Sequence, residues 1–116
     1  MLAVLALTAA TRIYLYLRPC DMRKSFDGLC GVIRSELGAD PLSGSLFVFL
    51  NRRRTMVKLM YWDTDGFMIL YKRLERGCFR LPDVVTSEAR IDRRQLSMLL
   101  EGVTPKKVSR RYVIEQ

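Results

Sequence analysis

The stretch Tyr61-Trp62-Asp63-Thr64-Asp65-Gly66-Phe67 sets two carboxylates two residues apart, just before a glycine. Such a pair could open a calcium loop or contribute to a two-metal nuclease centre. The calcium template asks for a glutamate at its twelfth position, which counted from Asp63 is Leu74. The two-metal template asks for several carboxylates converging in space. Two on one short link are too few, and no convincing third is visible. Asp-Gly ahead of an apolar run is a hairpin signal, because glycine accepts the positive φ of a tight turn. The stretch therefore reads as a turn.

Other chemistry lacks its parts. The chain has no histidine, so the usual general base near pH 7 and the commonest zinc ligand are missing. Ser43 and Ser45, beside Gly44, have no histidine partner. Cys20, Cys30 and Cys78 are odd in number and form no CxxC pair, which points to free thiols in a reducing cytosol. Neither Cys20 nor Lys24 stands in a context that marks it as activated. Phosphate loops of the GxxxxGK[ST] and GxGxxG types do not occur. The expectation is a binding protein with no metal and no cofactor.

Charge says what it binds. Twenty Lys and Arg against twelve Asp and Glu give a net charge of +8, and the sequence pI is near 9.9. That balance favours polyanions or an acidic partner. At 116 residues with 49% hydrophobic content, the chain fits one domain with a real core. The reading is a single domain over 1–116, with a core at about 11–103 and a basic tail at 104–116. The opening "MLAVLALTAA" is apolar, but no cation precedes it, no Ala-x-Ala follows, and it is too short to cross a bilayer. It reads as an N-terminal arm of a cytoplasmic protein.

The elements that must position these groups are α+β. "RIYLYL" (12–17) predicts a strand. Asp21 is placed to cap a helix whose apolar stripe is Phe26, Leu29, Cys30, Ile33 and Leu37, with Gly38 past its end. "LFVFL", "MVKLMYW" and "FMILYKRL", separated by "NRRRT" and "DTDG", predict an antiparallel β-meander. Segment 82–89 gives no clear assignment. A second short helix fits 92–101, with Asp92 and Gln95 as a capping box and Leu96, Leu99 and Leu100 inward. The first helix packs on one face of a small sheet. The tail, with four cations and a single acid, is expected to be mobile.

Symmetric links set a register. Trp62 then faces Phe67, Met60 faces Ile69, Lys58 faces Tyr71 and Met56 faces Arg73. Across the other link, Leu50 faces Met56 and Val48 faces Lys58. Phe47 and Phe49 then share a face with Val57, Leu59, Tyr61, Met68 and Leu70, and the first helix belongs there. Arg52, Arg53 and Arg54 gather at one end with Lys58, Lys72, Arg73 and Arg76, beside Tyr71. Asp63 and Asp65 lie at the other. Guanidinium groups near an aromatic ring suit phosphates and bases. Arg23 and Lys24, at the wrong end of a helix dipole for cations, join the candidate nucleic-acid-binding set. Trp62 and Phe67 form a candidate partner-binding patch.

"CDMRKSFDGL", "DPLSGSLFVFLNRRRTMVKLMYWDTDGFMILYKRLERGCF" and "LSMLLEGV" resemble the TnpB accessory proteins of bacterial insertion sequences of the sixty-six type, a family distinct from the RNA-guided nucleases that share the TnpB name. The resemblance spans about residues 11–103. It implies a non-catalytic accessory protein of DNA transposition, encoded beside a separate large transposase, with DNA at the element ends or that transposase as partner. Asp21, Met22, Arg23, Lys24, Phe26, Asp27 and Gly28 match one family motif. Lys58, Trp62, Asp63, Asp65, Gly66, Tyr71, Lys72, Arg73 and Leu74 match another. The lead "MLAVLALTAA" and Cys20 depart from the family pattern, and the tail is only loosely similar to it. The alternative reading is a protein-interaction module, or an oligomeric scaffold for the transposase without DNA contact.

Overall fold

The computed structural model describes residues 8, 10–82 and 89–102. Most of the N-terminal arm, segment 83–88 and the basic tail lie outside them. The elements run β1 (Ile13–Leu15), α1 (Phe26–Ser35), a 3-10 turn (Pro41–Ser43), β2 (Leu46–Leu50), β3 (Met56–Asp63), β4 (Gly66–Arg73), β5 (Arg90–Ile91) and α2 (Arg93–Glu101). One sheet has the order β4-β3-β2-β1-β5. The meander β2-β3-β4 is antiparallel, as expected. β1 adds to it in parallel, beside β2, and β5 closes the far edge antiparallel to β1. Parallel neighbours need a crossover, which α1 and the 3-10 turn supply.

The β3–β4 register is the expected one, with Trp62 opposite Phe67, Met60 opposite Ile69, Lys58 opposite Tyr71 and Met56 opposite Arg73. The β2–β3 register is shifted by one. Leu50 faces Val57 and Phe49 faces Lys58. The cause is local. Asn51 still pairs with Met56, its N–H donating to the Met56 carbonyl at 3.2 Å. The Asn51 side-chain oxygen accepts from the N–H groups of Thr55 and Met56 at 2.8 and 2.9 Å. Arg54 takes a positive φ of 58° to close the link. The loop is thus one residue shorter than symmetry suggested. With a side-chain period of two, that slip moves the partners of β2 to the opposite face.

The consequence is two cores on one sheet. On one face Phe47, Phe49 and Met60 pack with Leu29, Cys30, Val32 and Ile33 of α1. Ile13, Leu15, Leu46, Val48, Leu50, Val57 and Leu59 pack on the other with Phe79 and with Leu96, Leu99 and Leu100 of α2. Phe47 and Phe49 face α1 as anticipated, but the same face continues through Met60 and Ile69 rather than Leu59 and Leu70. Within α1, Phe26 is exposed and Val32 takes the buried place in the stripe. The helix is also shorter than expected. Its N-cap is Ser25, and Asp21 instead accepts from the Arg23 N–H in a turn ahead of it. The capping box of α2 forms as read, and Gly102 ends that helix at φ 73°. Among the described residues no helix is long and apolar enough to cross a membrane.

Candidate nucleic-acid interface

The β2–β3 loop projects Arg52, Arg53 and Arg54 from one end of the sheet, all exposed. The chain leaving β4 returns to the same end. The Leu74 N–H donates to the Thr55 carbonyl at 2.8 Å, and the Phe79 N–H donates to the Arg54 carbonyl at 2.6 Å. Exposed Arg76 is held in the segment between those two bonds. Arg73 closes β4 opposite Met56 on the α1 face, and Lys72, opposite Val57, points to the α2 face. The cations therefore surround one end of the sheet on both sides. Arg73 is bonded to Glu75 at 3.1 Å in an exposed ion pair. No ion pair engages Arg52, Arg53, Arg54 or Arg76 among the described residues.

Lys58 departs from the expected set. It is only 6% exposed, and its ammonium donates to the carbonyls of Met22 and Lys24 at 2.8 and 2.6 Å. It also lies 4.7 Å from the centre of the Tyr71 ring. A buried cation needs such partners, and these tie the segment before α1 to the middle of β3. Lys58 is therefore a structural clamp and not a surface cation. Tyr71 covers it on one side and remains 54% exposed. Lys24 is exposed at the clamp. Arg23 is exposed too, but its guanidinium is forked onto Asp21, with the closest contact at 2.7 Å. Hydrogen bonding from Arg23 holds the Asp21 carboxyl down at about 2. The pair's contribution is complete above the ordinary carboxylate range and is lost progressively as pH falls from that range to about 2.

Arg18 was not among the expected cations. It lines a surface cavity of about 320 Å³ with Arg52 and Arg54, walled by Leu17, Pro19 and Leu81. Its place in "RPCDMRK" offered no signal, because the pairing of β1 beside β2 is what brings it to the arginine loop.

At the opposite end the hairpin turns through Thr64 and Asp65, with Asp63 paired to Gly66. The positive φ, 57°, falls on Thr64 rather than on the glycine. Asp63 and Asp65 are exposed there, and no cluster of three acidic or thiol side chains suited to a metal ion occurs among the described residues. Trp62 and Phe67 meet edge-to-face with ring centres 5.0 Å apart, both half-buried. Cys20 and Cys30 are buried, and burial pushes both thiols up, away from the reactive thiolate.

Residues 11–110 match the family model described as IS66 Orf2 like protein. Uncharacterized protein y4jC of Sinorhizobium fredii (strain NBRC 101917 / NGR234) is 33% identical over 102 residues, covering 88% of this chain and 87% of that protein. Uncharacterized protein y4hO of the same strain is 35% identical over 92 residues, covering 79% and 80%. No solved structure matches the chain.

Proposed function

Because the chain belongs to the IS66 Orf2-like family, the accessory proteins of a class of insertion sequences, we propose that it supports transposition in the cytoplasm by holding DNA with Arg52, Arg53 and Arg54. One observation carries this reading: three consecutive exposed guanidinium groups sit on a braced loop, with no ion-pair partner among the described residues. Arginines so placed can fork onto phosphates along a duplex. Arg76 and Lys72 stand behind them and extend the positive surface. The role is binding, a reading that rests on these exposed guanidinium groups and on no assembled set of catalytic side chains.

The test is a gel-shift titration with element-end DNA at rising salt. Affinity should fall steeply with salt. The triple change of Arg52, Arg53 and Arg54 to Ala should weaken binding and lower the slope of log affinity against log salt by about 2–3. Absence of binding at low salt would overturn the DNA reading.

A second reading, contact with the separately encoded transposase, draws on the Trp62–Phe67 pair. The two rings meet beside the aspartate turn, away from the arginines. Loss of transposase pull-down in Trp62→Ala, with DNA binding kept, would establish it.

A further inference from the structure

The outer edge of β4 carries an unused row of backbone groups. β4 is the end strand of the sheet. The bond from the Leu74 N–H to the Thr55 carbonyl fixes which residues of β4 look toward β3. By alternation, Gly66, Met68, Leu70 and Lys72 bond to β3. Phe67, Ile69, Tyr71 and Arg73 point their N–H and C=O groups outward. No described residue bonds to them there. The strand runs for 8 residues and is apolar over most of its length. Met68 and Tyr71 are 41% and 54% exposed. A long apolar edge of this kind is a template for another strand.

The side chains along it say which strand. We infer that β4 pairs antiparallel with β4 of a second copy of this chain, Ile69 opposite its twin. In that register Phe67 of each copy lies opposite Tyr71 of the other, and Asp65, in the turn one residue ahead of β4, comes level with Arg73. Met68 meets Leu70 on the α2 face. Opposite charges and aromatic rings thus fall into register twice, once on each side of a two-fold axis. Moving the twin strand by two residues one way sets Asp65 opposite Glu75 and Arg73 opposite Phe67, which places like charges together; moving it two the other way sets Asp65 opposite Tyr71 and carries Arg73 past the end of the twin β4, so the opposite-charge pairs are lost. A shift by one is ruled out by the hydrogen-bond alternation. The pairing takes Arg73 from its exposed partner Glu75, a weak attachment. It leaves Arg52, Arg53 and Arg54 exposed, one set at each end of a joined sheet. The inference is independent of DNA contact.

The test is sedimentation equilibrium on the full chain without DNA, over a wide concentration range. The wild type should show a monomer–dimer equilibrium. Asp65→Arg or Arg73→Asp alone should weaken it about tenfold, because each change sets two like-charge pairs across the joint. The combined Asp65→Arg/Arg73→Asp chain should restore dimerisation, since the charges are then exchanged and matched again. Circular dichroism confirms that each variant is folded. A monomer at every concentration would overturn the inference and leave the edge to a strand from another protein. A dimer indifferent to both single changes, or one the combined change fails to restore, would overturn this register.

Discussion

The ammonium of Lys58 gives its hydrogen bonds to two backbone carbonyls beneath the Tyr71 ring, while the guanidinium of Arg53 is exposed at a loop tip. Removing each charge should therefore have opposite effects. Lys58→Met keeps the aliphatic bulk but strands the carbonyls of Met22 and Lys24, and should cost about 1–3 kcal/mol of stability in urea unfolding. Arg53→Ala should leave the urea midpoint unchanged and weaken DNA binding. The reverse pattern would place Lys58 at the surface and Arg53 in the frame. In the sequence both read as basic residues of one end, because lysine is seldom buried. A lysine between Val57 and Leu59, opposite a tyrosine, was the available hint. Asp21 misled for a similar reason. Its type suits an N-cap, but its carboxylate is taken by Arg23.

At the scale of elements, β1 to β4, the two helices and the β3–β4 register were legible. Each depends on contacts between near neighbours in the chain, and a two-residue turn leaves little freedom of pairing. The β2–β3 slip was not legible, since it comes from one side chain folding back over its own loop. Asn51→Ala removes the acceptor for the N–H groups of Thr55 and Met56. It should lower stability by about 1–3 kcal/mol in urea unfolding and weaken DNA binding, as the arginines lose their brace. Unaltered stability would mean that loop length alone sets the register. β1 beside β2 and the two-residue β5 were beyond reach. The first is a long-range parallel pairing, and the second is too short to leave a period in the sequence.

For the whole molecule, the polarity inferred from chain direction is present: the arginine loop and the end of β4 share one pole, and the paired aspartates occupy the other. The two cores share one sheet, so they should stand or fall together. Leu29 is buried on the sheet-facing side of α1, and Leu99 on that of α2 across the opposite face of the sheet. Leu29→Ala and Leu99→Ala should each lower stability by about 2–5 kcal/mol. In both variants the fluorescence of Trp62, the single tryptophan, and far-UV circular dichroism should report one coincident transition. Separate transitions would mean that one face unfolds without the other.

The position of β1 also bears on how the protein is made. Its two neighbours, β2 and β5, come later in the chain, the second near the far end of the described residues. During synthesis the first strand must wait, unpaired on one side, until ribosomal output has passed Ile91. Completion of the sheet therefore follows the synthesis of every other strand in it.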